Sequence, residues 1–485
     1  MPDNKRESMS SVDVAWLRMD RPSNLMVICG VLAMHERISI ARLRSTVASR
    51  FLLYPRFRQR PVQSAGGHQW QSGERFDLAH HVTRVELPRG AGEAELEALV
   101  SKLVSTPLDP RHPLWQFHLV ANYKGGSAVI GRIHHCYADG IALIQVLLSM
   151  TDADREGRRA GPVPPPPTNR DTADDPLAQL VAPLAGMLKK ASTVGSTLIE
   201  KGAELWRDPG KALALAEQGG ALAGEIAKLV LMSEDSTTRF KGQPGVAKRV
   251  AWADPIALDD VKAVGKALGC SVNDVLLSSV AGALRAYLVG RGDDVGDVMI
   301  RALVPVNLRP PEKAHRLGNK FGLVFLDLPI GIENPVARLY AVRANMQALK
   351  GSFQPVIALG ILAAMGAGPQ ILQEQLLAML AKNATAVMTN VPGPQQPLYF
   401  AGGKIDRLMF WVPQSGNIGM GVSIITYAGE VQFGLLTDRG FCPDPKRVIE
   451  RFAPEFEKLL LATLMAPWPW QEAPTAAWIE QAVLA

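Results

Sequence analysis

Residues 134–140 read His134-His135-Cys136-Tyr137-Ala138-Asp139-Gly140 and stand between two apolar segments. The preceding segment, SAVIGRIHH from Ser127, has the β-branched character of a buried strand. The following one, IALIQVLLSM from Ile141, is typical of a buried helix. Adjacent residues at the end of a strand point to opposite sides. One imidazole of the pair can therefore face a cavity while the other contacts the scaffold.

The two histidines indicate acid–base chemistry. An imidazole titrates near neutral pH, which makes it a natural general base for a hydroxyl or an amine. No serine stands nearby in an elbow such as GxSxG, and Cys136 should point away from the base. We therefore expect direct attack of a bound acceptor on an activated acyl group, without a covalent acyl-enzyme. Two histidines and one aspartate lack a clear fourth ligand, so we expect no metal.

Asp139 and Gly140 suit the junction between strand and helix. Asp139 is placed to cap the helix or to pair with an arginine, and Gly140 lets the backbone turn tightly. The second dipeptide of this kind, His80-His81, has no aspartate at the matching offset and lacks comparable apolar flanks. We interpret that pair as surface or structural.

The composition is that of a globular protein. Of 485 residues, 47% are hydrophobic and 20% are charged, which excludes a mostly disordered chain, a collagen and a coiled coil. The four cysteines form no CxxC pair, so a disulfide framework is not expected. This fits a protein of a reducing compartment. The net charge of +6 is scattered, so we expect no nucleic-acid partner. It is compatible with anionic lipid surfaces or phosphorylated small molecules.

No segment predicts a membrane span. The N-terminus lacks an apolar signal segment, and no apolar run reaches about 18 residues. The nearest is Val356–Gly368, within an uncharged stretch, which we interpret as a buried or interfacial helix.

Three segments differ in composition, and we expect domain boundaries there. Residues 1–150 and 246–485 each mix helical and strand patterns, whereas 151–245 combine a Pro-rich linker with Ala/Leu-rich helices in Pro176–Met232. Those helices either pack across the junction or lie on a membrane surface. In the last segment we expect Asp259 to cap a helix that Gly269 ends, and a hairpin turn at 428–430.

Six blocks in order carry a resemblance to a known family. They are DPRHPLW (109–115), HHCYADG (134–140), SVNDVLL (271–277), RALVPVNLR (301–309), LGNKFG (317–322) and TNVPGP (389–394). The chain resembles the bacterial wax ester synthase/acyl-CoA:diacylglycerol acyltransferase family. That family belongs to the HHxxxDG superfamily, with nonribosomal condensation domains and chloramphenicol acetyltransferase. One departure is NLMVICG (24–30), where relatives commonly carry a PMHVG-like segment.

The resemblance implies an α/β fold with mixed sheets. Two chloramphenicol-acetyltransferase-like halves would enclose an active-site tunnel at their interface. His135 would be the general base and His134 its support. Asp139 would be a structural anchor bound to an arginine, with Arg309 as the candidate and Arg301 as the alternative.

Further residues would bind substrate or shape the site. Asn273 and Asp274 would help to shape it, although they also fit an ordinary helix start. Pro113, Leu114 and Trp115 would contribute too, with core packing as the alternative. Asn390–Pro394 is better explained as a structural turn.

The implied activity is O-acyl transfer from acyl-CoA to diacylglycerol, to a long-chain alcohol, or to both. Acyl-CoA is a substrate, so no cofactor is expected. Two alternatives remain: an amide-forming condensation-type enzyme, and an inactive lipid-binding protein of the same fold. Because the substrates are poorly soluble, we expect a cytoplasmic protein bound peripherally to the inner membrane face or to lipid droplets.

Overall fold

The structure is a computed structural model that describes residues 6–65, 67–72, 76–160, 232–309, 317–352, 354–367, 370–371, 373–374 and 382–466. The elements before the predicted linker are β1 Arg6–Ser8, α1 Ser11–Met19, β2 Val27–Met34, α2 Ile40–Ser49, β3 Gln59–Ser64, β4 Gly67–Ser72, α3 Leu78–His81, β5 Val82–Val85, α4 Glu93–Val104, β6 Trp115–Val120, β7 Ser127–His134 and α5 Gly140–Met150. Most of the predicted linker and of Pro176–Met232 lies outside the described residues.

The elements after the linker begin at residue 248. They are β8 Lys248–Trp252, β9 Ile256–Ala257, α6 Leu258–Ala267, α7 Val272–Gly290, β10 Met299–Asn307, β11 Phe321–Pro329, α8 Pro335–Leu349, α9 Gln354–Ala367, β12 Ala386–Pro392, β13 Tyr399–Phe400, β14 Gly403–Trp411, β15 Met420–Tyr427, β16 Glu430–Asp438, α10 Lys446–Ile449 and α11 Phe452–Met465.

The C-terminal sheet has seven strands. Six run in the order β11-β10-β12-β15-β16-β8, and β9 pairs with β16. β12 lies parallel to both β10 and β15, while the other pairs are antiparallel. Helix α7 is a core helix of this half. By length and composition it could cross a membrane, but 72% of its most apolar stretch is buried inside the fold.

The N-terminal sheet has six strands in the order β13-β14-β2-β7-β6-β5. Two of its strands come from the C-terminal part of the chain, since β14 pairs antiparallel with β2 and β13 pairs with β14. This exchange covers an edge of β2 that would otherwise expose unpaired backbone groups. The expected mixed α/β fold is confirmed. The domain boundaries at 150 and 245 stay a prediction. The N-terminal sheet itself includes two strands, β13 and β14, from beyond residue 245.

The two halves also share apolar contacts. Trp411 of β14 lies 5.6 Å from Trp252 of β8, measured between ring centroids. On another side, α9 packs against α1 so closely that a Cβ at Gly366 would overlap the backbone carbonyl of Ser11. The uncharged segment around 356–368 is therefore a packed helix, in line with the sequence interpretation.

Local predictions in the C-terminal part hold with one exception. The hairpin of β15 and β16 turns at Ala428 and Gly429, both with positive φ. Gly269 adopts φ +63° just beyond α6 and ends it as expected. Asp259 does not cap α6. Ala257 occupies that position, and Asp259 lies in the first turn, where its charge favours the helix dipole.

A buried ion pair explains one glycine of α7. Arg338 of α8 and Glu455 of α11 pair beside Gly282. Arg338 also donates to the carbonyl oxygen of Ser278 at 3.2 Å. A Cβ at Gly282 would overlap both charged groups, so the pair depends on a missing side chain in the middle of a helix.

We predict that Gly282→Ala destabilises the protein by about 3–5 kcal/mol, because it disrupts a buried ion pair. Chemical denaturation checks this. The matched control is Gly290→Ala in the same helix, where no atom lies within 4 Å of the added methyl group. It should be neutral or stabilising by about 0.5–1 kcal/mol. Equal effects of both variants would contradict the role given to Gly282.

Candidate active site

The end of β7 holds His134 and His135 through backbone hydrogen bonds. The His134 N–H donates to the Leu114 carbonyl at 2.9 Å, and the His135 N–H donates to the Met26 carbonyl at 2.7 Å. The Met26 N–H in turn donates to the Asp20 carboxylate at 2.7 Å. Neighbouring segments on both sides therefore fix the backbone of the motif.

The imidazole of His135 is buried between aromatic rings. Trp16 of α1 stacks on it with ring centroids 3.9 Å apart and planes 13° from parallel, and Phe321 lies 5.7 Å away. Burial lowers the pKa of His135 to about 4, against the opposing charge of Asp139. The ring is therefore neutral near pH 7 and has a lone pair on one nitrogen.

Asn319 determines which nitrogen of His135 has that lone pair. The Asn319 amide nitrogen donates to the Asp13 carboxyl at 2.8 Å and to the His135 carbonyl at 2.9 Å. Its oxygen therefore faces His135 Nδ1 at 2.9 Å. An amide oxygen only accepts, so Nδ1 must donate its proton. The lone pair of the neutral ring is on Nε2, which is the arrangement that a general base requires.

His134 has a different environment. Its Nδ1 accepts the backbone N–H of Cys136 at 3.1 Å, and its Nε2 lies 3.8 Å from the Asp20 carboxylate. Burial, with a smaller effect of His135, lowers the pKa of His134 to about 3. The two rings thus contact different groups, as the strand-end geometry predicts.

Cys136 is fully buried beside the histidines. Burial raises the pKa of its thiol well above the ordinary value, with smaller contributions from Asp13 and Asp20. The thiol is therefore protonated at neutral pH and unsuited to nucleophilic attack.

Asp139 pairs with an arginine, as the resemblance implies, and this pair joins the two halves. One carboxylate oxygen accepts the Ala142 N–H at 2.9 Å and caps α5. The other accepts Arg309 at 2.7 Å and the Lys320 N–H at 2.9 Å. Arg309 is thus the partner of Asp139. The alternative, Arg301, is wrong because its guanidinium pairs with Asp327 instead.

The segment 317–320 docks directly on the motif. Gly318, with φ +97°, donates its N–H to the Tyr137 carbonyl at 3.1 Å, and its own carbonyl accepts Arg309 at 2.7 Å. Gly140 is the first residue of α5. LGNKFG resembles a family block, but no role was predicted for Asn319. Asp13 and Trp16 were not predicted either, since no local pattern links α1 to a motif more than 100 residues away.

Pro113, Leu114 and Trp115 form scaffold contacts. The Leu114 N–H donates to the Tyr137 hydroxyl at 3.0 Å, and that hydroxyl donates to the Gln59 carbonyl at 2.6 Å. Trp115 is buried and donates through Nε1 to the Phe57 carbonyl at 2.7 Å. The Pro113 carbonyl accepts the Trp115 N–H. These contacts favour core packing, the alternative reading of the three residues.

Asn273 and Asp274 begin α7. Asp274 accepts the Ser271 N–H at 2.8 Å in a capping box, and Asn273 accepts Asn390 at 2.9 Å. These hydrogen bonds do not reach His135 and fit an ordinary helix start. His81, in the second histidine dipeptide His80-His81, is buried. Its Nδ1 lies 2.7 Å from the Trp115 carbonyl oxygen, which is a structural contact.

We predict that Asp139→Asn lowers stability by about 3–5 kcal/mol, because it breaks the buried ion pair with Arg309. Asp139→Ala should lose about 1 kcal/mol more, since Asn still caps α5 whereas Ala does not. Denaturant unfolding measures both. The control is Asp259→Asn, whose carboxylate is 90% exposed and whose pair with Lys262 should contribute under about 1 kcal/mol. Wild-type stability of Asp139→Ala would contradict the anchoring role.

Two family models match the chain. The wax ester synthase/diacylglycerol acyltransferase catalytic domain covers residues 9–276. The C-terminal domain of the same family covers residues 317–460. Together they include the histidine motif, Asp13, Trp16 and the segment 317–320.

Curated relatives carry acyltransferase names. A probable diacylglycerol O-acyltransferase of Mycobacterium tuberculosis is 29% identical over 413 residues, which cover 81% of this chain and 85% of the relative. A putative diacylglycerol O-acyltransferase of Mycobacterium bovis is 28% identical over 470 residues, with 93% and 90% coverage.

Solved structures share the fold. The wax ester synthase/diacylglycerol acyltransferase of Marinobacter aquaeolei aligns with a TM-score of 0.67 at 21% identity, over 94% of this chain and all of that one. A starter condensation domain of rhizomide synthetase aligns at 0.56 and 15% identity, over 95% of both chains. Because the catalytic-domain model alone spans more than half of the sequence, the chain belongs to the wax ester synthase/diacylglycerol acyltransferase family and is an acyl-CoA-dependent acyltransferase.

Proposed function

We propose that the protein transfers a fatty acyl group from acyl-CoA to the hydroxyl of a diacylglycerol, with His135 as the general base. The observation that carries this proposal is the buried, neutral ring of His135, whose Nδ1 proton is held by Asn319 so that Nε2 is free to accept a proton. His134, Asp139 and Gly140 support the base without taking part in proton transfer.

The proposed reaction needs one base. Nε2 of His135 takes the hydroxyl proton as the acceptor oxygen attacks the thioester carbonyl. The tetrahedral intermediate then collapses, the C–S bond breaks, and the departing CoA thiolate takes the proton from Nε2. General-base help of this kind is worth roughly 10²–10⁴-fold in rate, and the positioning of two bound substrates adds to it.

A covalent route has little support. The only thiol next to the base is Cys136, and burial keeps it protonated. The amide-forming alternative rests on the shared fold alone, since the condensation domain is 15% identical to this chain. The inactive lipid-binding alternative is hard to reconcile with a base whose tautomer is held by a specific partner.

The choice of acceptor rests on the relatives. Both curated relatives are named diacylglycerol O-acyltransferases, which supports diacylglycerol as the main acceptor. The Marinobacter protein is also named a wax ester synthase, which supports a long-chain alcohol as a second acceptor.

We predict that purified enzyme, given one acyl-CoA with equal diacylglycerol and hexadecanol, makes more triacylglycerol than wax ester. Thin-layer chromatography of radiolabelled product measures the ratio. Release of CoA without an acceptor should be small, because the base needs a bound hydroxyl. Wax ester as the main product would overturn the acceptor preference, and no release with either acceptor would overturn the activity.

We predict that His135→Ala lowers kcat by at least about 10²-fold while the protein still folds, since it removes the general base. His134→Ala should lose activity in part or lower the yield of folded protein, because its Nδ1 supports the Cys136 backbone. His80→Ala, in the second histidine dipeptide, should keep kcat within a few-fold of wild type. Steady-state CoA release checks all three. An active His135→Ala beside a dead His134→Ala would reverse the two roles.

We also propose that the protein is cytoplasmic and attaches peripherally to the inner membrane face or to lipid droplets. The net charge of +6 and the predicted helices of Pro176–Met232 support this. We predict that part of the protein floats with anionic liposomes at low salt, and that high salt weakens this fraction without removing it. A protein that floats at no salt concentration would contradict the proposal.

A further inference from the structure

Seven acidic side chains are buried among the described residues, and most of them have a charged partner. They are Asp13, Asp139, Asp152, Asp235, Asp274, Asp438 and Glu455. Five of the seven pair with an arginine or a lysine. The exceptions are Asp13 and Asp274. A buried carboxylate without a counter-charge is costly, so each exception requires a reason.

The two exceptions share a local sequence but use it differently. Both stand third in a helix that begins with a serine cap, Ser10 for α1 and Ser271 for α7. Asp274 turns back to the Ser271 backbone N–H at 2.8 Å, which is the ordinary capping box. Asp13 instead accepts the Asn319 amide at 2.8 Å. The helix cap therefore accounts for the buried carboxylate of Asp274 but not for that of Asp13.

The contact of Asp13 leads to the base in two steps. Asp13 accepts one Asn319 N–H, and the Asn319 oxygen faces His135 Nδ1 at 2.9 Å. An acceptor at position 13 keeps the amide nitrogen of Asn319 turned away from Nδ1 of His135. If Asn319 turned over, its oxygen would face both the Asp13 carboxyl and the His135 carbonyl, which is repulsive.

We propose that Asp13 is a positioning residue that acts through Asn319 to hold the His135 proton on Nδ1 and so keep Nε2 available as the base. This inference rests on the proposed role of His135. No proton travels along the chain, because the amide of Asn319 only orients. When Nε2 takes the substrate proton, the imidazolium keeps its Nδ1–H bond to Asn319.

Other groups also act on this pair. Burial raises the pKa of Asp13, while hydrogen bonds from Asn319 and Ser10 and the charge of Arg56 lower it. Asp139 raises the pKa of His135, and His135 in turn lowers the pKa of His134. Asp20 and Cys136 lie close by. Because several groups act together, the test reads the tautomer of His135 directly at neutral pH.

The test uses full-length enzyme labelled with ¹⁵N-histidine, with the His135 signals assigned by their loss in His135→Gln. Wild type should show a protonated Nδ1 and an unprotonated Nε2. In Asp13→Asn, the new amide can turn its N–H toward Asn319, which can then turn over and donate to Nδ1. We expect a second population with the proton on Nε2. We also expect kcat to fall roughly 10- to 100-fold, by analogy with the outer partners of metal-bound histidines, with an unchanged KM for acyl-CoA.

The matched control is Asp152→Asn, which removes another buried carboxylate of the same half, paired with Arg50 at 2.7 Å. It should lose stability but keep the wild-type tautomer and the wild-type kcat of the folded fraction. If Asp13→Asn does not fold, Asp13→Ser gives the same two readouts with a smaller side chain.

Three results would overturn the inference. The first is a wild-type enzyme whose His135 carries its proton on Nε2. The second is an Asp13 variant that is wild-type in tautomer, kcat and stability. The third is an Asp13 variant that loses stability but keeps the wild-type tautomer and kcat. If the wild-type enzyme transfers no acyl group, the proposed function fails. The tautomer spectra would then still decide whether Asp13 holds His135.

Discussion

The carboxylate of Asp139 is the interaction on which the site depends. It accepts hydrogen bonds from the Ala142 N–H in the first turn of α5, from the guanidinium of Arg309 and from the backbone N–H of Lys320. The first group belongs to the N-terminal part of the chain and the other two to the C-terminal part. One buried side chain thus fixes the end of the histidine motif against the segment that supplies Asn319. The buried setting makes the ion pair strong once it is formed and costly to break.

The surroundings of His135 combine two opposing effects. Burial beneath Trp16 and beside Phe321 disfavours the imidazolium and so weakens the ring as a base. The same burial excludes water and strengthens the electrostatic contacts within the site. Asp139 favours the charged ring, and its effect is smaller than that of burial. The neutral resting state of the ring therefore follows from burial, whereas its tautomer is fixed by Asn319.

The sequence was informative where the residues that act together are close in the chain. The strand, motif and helix of 127–150 follow from hydrophobic pattern and a capping aspartate, and the resemblance supplied Arg309. Asp13, Trp16 and Asn319 were not predicted, because they meet His135 only through the packing of α1 and the 317–320 segment against the motif. The transfer of β14 to the N-terminal sheet was missed for a similar reason. Its pattern is that of an ordinary strand, and partner choice is a tertiary property.

The proposed mechanism requires that Nε2 of His135 receives the acceptor proton. A crystal structure of the enzyme with a non-hydrolysable acyl-CoA analogue and diacylglycerol would show this contact. We expect the acceptor hydroxyl oxygen within about 2.6–3.2 Å of Nε2, with the carbonyl carbon about 3–3.5 Å from that oxygen. A hydroxyl bound out of reach of Nε2, or held by another titratable side chain, would contradict it.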